Sequence, residues 1–91
     1  GAVFDRIGDP PRLFVLDMGG VPFLDASGAN MLESLVHRLE RSGTRVVVAG
    51  ARPAIVDTLG HFGLSPPRIA FAADAEEAVR LAPPGKNAET G

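Results

Sequence analysis

The 91-residue sequence contains no cysteine, tryptophan or tyrosine, and its lysine content is the single Lys86. Without cysteine the chain can form neither disulfides nor a reactive thiolate, which fits a reducing compartment. Without tryptophan or tyrosine it lacks the aromatic platforms on which nucleic-acid bases or sugars commonly stack. The formal net charge is −2, and neither sign of charge is clustered along the sequence. The basic face that a nucleic-acid partner requires is therefore not indicated.

Long apolar segments are also lacking. Apolar runs such as Leu13 to Leu16 and Val46 to Ala49 fall far short of the roughly 20 residues that span a bilayer. A charged-then-apolar signal segment does not open the chain. With 45% hydrophobic residues, the sequence predicts one small globular domain that lies in water. We expect this domain to cover residues 1–82 and residues 83–91 to form a disordered tail.

Three apolar stretches read as β-strands. Leu13–Asp17 is continuously apolar before its final aspartate, as expected of a strand covered on both faces. Thr44–Ala49 is rich in β-branched residues, and Ile69–Ala72 is a shorter third strand that we place at or near a sheet edge. Residues 1–12 look like the end of a helix stopped by prolines, and we expect that the beginning of this helix lies upstream.

Helical periodicity follows each strand. The longest predicted helix, Ser27–Ser42, ends before Gly43, and a second begins at Pro53 and ends before Gly63. Asp74 followed by Glu77 predicts a capping box at the start of a last helix. The predicted inward-facing side chains are Met31, Leu32, Leu35, Val36 and Leu39 in the first helix, Ile55, Val56, Leu59 and Phe62 in the second, and Ala78, Val79 and Leu81 in the last.

Strands that alternate with helices predict an α/β fold with parallel βαβ units, right-handed crossovers and helices covering the sheet. Three short strands make a thin sheet for this number of helices. We therefore expect a further strand or hairpin to pair with it, removed from the amino-terminal side of this chain or supplied by another chain. An exposed flank of Leu13–Asp17 could recruit such a strand.

The turn between the first strand and the longest helix is the candidate functional segment. Gly19 and Gly20 break the strand, and we interpret Val21–Leu24 as a buried loop because Pro22 interrupts it. Asp25 and Ser27 are both good helix amino-terminal caps. Asp17 ends a parallel strand, where α/β folds commonly bind ligands.

These residues resemble the STAS domain, the module shared by sulfate transporters and anti-sigma-factor antagonists. The resemblance covers nearly all of residues 3–82, and its most specific part is LFVLDMGGVPFLDASG before a helix, followed by a strand and the turn AGARP. Through GVPFLDASG, AGARP and FAADAEEAV the chain is most similar to the cytoplasmic carboxyl-terminal domain of bacterial SulP anion transporters. The family begins with strands ahead of its first helix, which agrees with the expectation of absent amino-terminal strands.

The resemblance implies a regulatory, protein-interaction domain on the cytoplasmic side of the inner membrane, and not an enzyme. Its partner would be the transporter membrane domain in the same polypeptide or a cytosolic regulatory protein, and a homodimer is a further hypothesis. The alternative is a free-standing antagonist, in which the serine matched by Ser27 is phosphorylated by the partner kinase. The implied partner- or anion-binding loop consists of Asp17, Gly19, Gly20, Asp25, Ser27, Gly28 and Arg52.

The residues give less support to a phosphotransferase activity, a metal site or nucleotide binding. The sequence LDMGG superficially resembles the D-x-D-G opening of haloacid-dehalogenase-type phosphotransferases, but Gly19 stands where the second acid should be. Asp17 is then expected to bond turn amides. His37 and His61 lie on different predicted helices, so we expect solvated side chains and no metal site. No cofactor is predicted, although the weak nucleotide binding attributed to the family would place a phosphate near Arg52.

Overall fold

The computed structural model describes residues 13–81, and the predictions for residues 1–12 and for the tail lie outside this range. Within residues 13–81, three strands alternate with three helices, as predicted for this part of the chain. Their bounds are β1 Leu13–Asp17, α1 Ala26–Arg41, β2 Arg45–Ala49, α2 Pro53–His61, β3 Ala70–Ala72 and α3 Ala75–Arg80.

The sheet is parallel throughout, with the strand order β1-β2-β3. Leu13 aligns with Arg45 and Asp17 with Ala49 in the first pair, and Ala49 aligns with Ala72 in the second. The strand predicted at or near an edge, β3, lies at one end of this order. All three strands therefore finish at the same edge of the sheet, where parallel α/β folds commonly form their binding sites.

Alternate residues of β2 build two separate cores. Val46 and Val48 pack with Val36 of α1 and with Ile55 and Leu59 of α2. The intervening residues of β2 face the opposite side of the sheet. The second core there consists of Val47, Ala49, Ala72 and Ala78. The helices therefore cover both faces of the sheet, as predicted.

Gly63 ends α2 and Asp74 caps α3, as predicted. Gly63 takes a left-handed φ of 84° and ends α2, after which Leu64 is buried and its N–H donates to the Leu59 carbonyl at 2.9 Å. The Asp74 carboxylate accepts from the Glu77 N–H at 2.8 Å. Glu77 accepts in return from the Ala73 N–H at 2.6 Å, one residue before the position expected of a capping box.

Four predictions of buried side chains are wrong. Met31 is 71% exposed because it lies about 140° around α1 from the buried Val36. Val79 is 59% exposed because α3 contacts the sheet through its neighbour Ala78, and Leu81 is 42% exposed because it follows the end of the helix. The loop predicted to be buried instead exposes 75% of Phe23.

Candidate functional site

The turns that follow β1 and β2 touch each other at the carboxyl edge of the sheet. The Met18 N–H donates to the Ala49 carbonyl at 2.8 Å, and the Gly50 N–H donates to the Ala72 carbonyl at 2.9 Å. Gly50 has a φ of 73°, and a Cβ there would lie 3.1 Å from the Gly19 Cα. Both the backbone conformation and this close approach require glycine at position 50. The two turns consequently form one continuous base for the candidate site.

Asp17 shapes the turn after β1. Its carboxylate is exposed, and Oδ1 accepts from the Gly19 N–H at 2.9 Å. The Val21 N–H then donates to the Met18 carbonyl at 3.1 Å, which closes the turn over the buried Met18 side chain. The expectation that Asp17 bonds turn amides is confirmed. This contact gives the carboxylate a structural role in the turn.

Asp25 caps the start of α1. Asp25 Oδ1 accepts from the Gly28 N–H at 2.8 Å, and its carbonyl accepts from the Ala29 N–H at 2.9 Å. A Cβ on Gly28 would lie 2.9 Å from Cδ1 of Leu24, so the small residue lets the loop close onto the helix. The prediction that Ser27 is also a cap is wrong, because the helix has already begun at Ala26.

The Ser27 side chain is exposed and forms no hydrogen bond with any residue in the range 13–81. It lies in the first turn of α1, where N–H groups and the helix dipole favour a negative group. Two exposed hydrophobic side chains are close to it in sequence. Phe23 precedes the helix, and Met31 lies about one turn further along the same side. A hydroxyl flanked by exposed apolar groups is an arrangement suited to contact with another molecule.

Arg52 takes no part in the hydrogen bonds of Asp17 and Asp25 described above. It is the amino-terminal cap residue of α2 and is exposed, but its side chain makes no capping hydrogen bond. Within residues 13–81 its guanidinium also forms no ion pair with Asp17 or Asp25. The structure thus joins Asp17 to Gly19 and Asp25 to Gly28, while the anion-binding role of Arg52 stays a prediction.

A charged cluster that the sequence reasoning missed links α1 to the loop before β3. Arg68 Nε lies 2.8 Å from Glu40 Oε2, and Nη2 lies 2.9 Å from Glu33 Oε2. Nη1 donates to the Gly63 carbonyl at 3.1 Å. The one available signal was that Glu33 and Glu40 lie about two turns apart on the same side of a predicted helix.

The cluster changes the acidity of its members. The pKa of Glu40 is lowered, first by its hydrogen bond from Arg68 and further by the positive charges of Arg68 and His37, against a smaller opposing effect of burial. The pKa of Arg68 is raised, mainly by its hydrogen bonds to Glu40 and then to Glu33. The guanidinium therefore stays charged, and the cluster fixes the acidic side of α1 against the body of the domain.

The two histidines lie at the protein surface, on different helices. Both His37 and His61 are exposed, and His61 Nδ1 lies 2.8 Å from the Asp57 carbonyl oxygen. Across the described residues 13–81, no group of three histidine, cysteine, aspartate or glutamate side chains is arranged to hold a metal ion. The same residues include no helix with the length and apolar character needed to cross a bilayer.

Parallel strands with helices on both faces, and a capped helix that begins near the carboxyl edge of the sheet, define a small α/β domain. The chain belongs to the STAS domain family, whose model matches residues 2–78. No curated protein matches the chain. STAS domains are generally non-enzymatic and regulatory, and membership supports a protein-interaction role.

Proposed function

We propose that the chain is the regulatory, protein-interaction domain of a SulP-type sulfate or anion transporter, without catalytic activity of its own. In this role it lies on the cytoplasmic side of the inner membrane. It presents the loop of residues 19–28 and the start of α1 to the transporter membrane domain or to a cytosolic regulatory protein. The segments GVPFLDASG, AGARP and FAADAEEAV support the transporter assignment.

One observation carries the interaction role: Phe23 is 75% exposed in a loop whose two ends are anchored. Asp17 bonds the turn before it, and Asp25 bonds the helix start after it. Full burial of a phenylalanine side chain contributes about 1.5–3 kcal/mol, so an exposed one is a ready source of binding energy. Because the loop is anchored, less conformational freedom remains to be lost when a partner binds.

The complete reading frame tests the transporter assignment. A frame with many apolar segments of about 20 residues upstream of this domain supports it, and a frame of single-domain length contradicts it. In the full-length protein, we expect Phe23→Ser to change the rate of sulfate uptake at unchanged protein level. Val79→Ser removes a similarly exposed apolar side chain from α3 and is expected to leave uptake unaltered. Equal effects of the two variants would exclude a specific role for the loop.

The exposure of Ser27 favours a second candidate, a free-standing anti-sigma-factor antagonist switched by phosphorylation. The side chain is accessible, and a phosphate there would meet the amino-terminal end of α1, which stabilises negative charge. Incubation with the cognate kinase should add one phosphate to the wild type and none to Ser27→Ala. Ser34→Ala, which alters another exposed serine of α1, should be phosphorylated normally. A wild-type chain that acquires no phosphate on Ser27 would refute this candidate.

A further inference from the structure

The charges of α1 are divided between two sides of the helix. Its acidic residues, Glu33 and Glu40, are both engaged by Arg68. Its arginines, Arg38 and Arg41, are exposed and form no ion pair with any residue in the range 13–81. Among residues 13–81 the negative charges of the helix are thus paired, whereas its two arginines have no acidic partner.

The outward side of α1 combines these positive charges with an apolar end. Ser27, Met31, Ser34, Arg38 and Arg41 recur at helical spacing along one side, and all five are exposed. Met31 lies in the amino-terminal half of this stripe and is 71% exposed. This half follows the loop in which Phe23 is 75% exposed. The carboxyl-terminal half carries the two arginines.

We propose that this surface, which we call the α1 outer face and define as Phe23 with the five residues of the stripe, docks an acidic amphipathic helix of a partner protein. Apolar side chains of that helix would cover Phe23 and Met31, and its carboxylates would pair with Arg38 and Arg41. This inference rests on the proposed interaction role and specifies the chemistry of the partner. Charge complementarity selects the occupant, because an acidic helix satisfies both ends of the face.

An anionic membrane fits the same face less well. Protein segments that bind anionic lipid usually carry roughly four to eight clustered cations, and the α1 outer face offers Arg38 and Arg41. The Asp25 carboxylate lies directly between Phe23 and the first turn of the helix in sequence, where it would be repelled by lipid phosphates. A helix with acidic residues toward one end can place an apolar or basic residue near Asp25, which a uniformly anionic surface cannot do.

Ser27 lies in the apolar half of the face, so its modification would act on this docking. A phosphate adds nearly two negative charges among the groups that an acidic helix must approach. The carboxylate of Ser27→Glu would be covered by apolar side chains of the partner helix and would lose hydration there, so this variant is expected to weaken binding. Ser65→Glu adds the same charge at an exposed position in the loop before β3 and should leave binding unchanged.

The test uses a synthetic helical peptide of about 18 residues, long enough to span α1, whose contacting side carries leucines toward one end and glutamates toward the other. It is titrated into the isotopically labelled chain and followed by amide NMR shifts. We expect saturable shifts along residues 23–41 that weaken as salt is raised. Exchange of both Arg38 and Arg41 for glutamate should weaken binding at least about tenfold, whereas Arg80→Glu on α3 should not.

The apolar end is tested in the same way, with folding of every variant verified by circular dichroism. Phe23→Ser combined with Met31→Ser should abolish the shifts, and Val79→Ser should preserve them. Absence of saturable shifts, equal binding of a peptide with lysines in place of glutamates, or equal losses in the control variants would overturn the proposal. Tighter binding to phosphatidylglycerol vesicles through Phe23 and Met31 would overturn it in favour of a membrane. The reading-frame test is independent, so failure here leaves the transporter assignment standing.

Discussion

Replacement of Arg68 by methionine should measurably loosen the attachment of α1 to the rest of the domain. Methionine retains much of the aliphatic bulk but removes the guanidinium, which contacts Glu40 through Nε at 2.8 Å and Nη2 at 3.1 Å. It also removes the 2.9 Å contact with Glu33 and the 3.1 Å hydrogen bond to the Gly63 carbonyl. These contacts connect α1 to the segment between α2 and β3.

The magnitude follows from how exposed these groups are. The Arg68 side chain retains 26% of its accessible surface, and Glu33 and Glu40 retain 34% and 35%. Partly exposed ion pairs contribute about 0.2–1 kcal/mol each, and two-pronged arginine–carboxylate geometry belongs to the upper part of that range. We therefore expect Arg68→Met to lower the free energy of unfolding by about 1–2 kcal/mol. For a domain of this size the melting temperature should fall by roughly 5–10 °C.

The stability lost in Arg68→Met should depend on pH. The pKa of Glu40 is lowered in the folded state below its ordinary value of 4.5, mainly by the hydrogen bond from Arg68. A carboxyl group with a lowered folded-state pKa contributes stability that is fully present above the unfolded pKa. That contribution is lost as the pH falls through the folded-state value. The stability difference between the wild type and Arg68→Met should consequently be constant near neutral pH and narrow below pH 4.5.

Urea unfolding followed by circular dichroism, at pH 7 and at several values below 4.5, measures both effects. Arg38→Met is the matched control, because Arg38 is an exposed arginine of α1 without an ion pair among residues 13–81. It should change stability by less than about 0.5 kcal/mol. Equal stability of the two variants, or a loss in Arg68→Met that does not diminish in acid, would contradict this role of the Arg68 guanidinium.

The remaining predictions concern caps and turns, and each is measured by chemical unfolding. Asp25→Ala should cost about 1 kcal/mol, whereas Ser27→Ala should change stability by less than about 0.5 kcal/mol; the reverse order would show that the serine is the cap. Gly50→Ala should cost about 1–3 kcal/mol because its φ is 73° and the Gly19 backbone lies close. Gly60→Ala, with nothing within 4 Å of the added Cβ, should stabilise α2 by about 0.5–1 kcal/mol, and a loss there would contradict the open space. Asp74→Ala should cost about 1 kcal/mol through the lost bond to the Glu77 N–H, and unchanged stability would show that this bond does not cap α3.

The strands and helices of residues 13–81 could be predicted because local signals agreed with the tertiary arrangement. The β-branched run of β2 is buried on both faces, and the boundaries differ from the predictions by about one residue. Gly63 and Asp74 also act as their residue types suggest, because capping depends on neighbours in the chain. Alternation of strand and helix then implied parallel pairing without further information.

The errors arose where tertiary packing decides between adjacent positions. Met31 is one of the apolar residues of α1. Its exposure could not be predicted, because it depends on how the helix is oriented against β2. The cap at α1 had two suitable residues, and Asp25 prevails because the helix begins immediately after it. The cluster at Arg68 joins residues from distant parts of the chain, so no local pattern indicates that these charges meet.

The alanine contacts beneath α3 have a practical consequence for attempts to build hybrid proteins from this domain. Three of the four buried residues between this helix and the sheet are alanines, Ala49, Ala72 and Ala78, and each is at least nine-tenths buried. A donor helix carrying leucine in place of Ala78 would be held away from the strands, while the larger side chains between the sheet and the other two helices offer more ways to repack. Successful transplants should therefore exchange α1 or α2 and retain α3 with its own sheet surface.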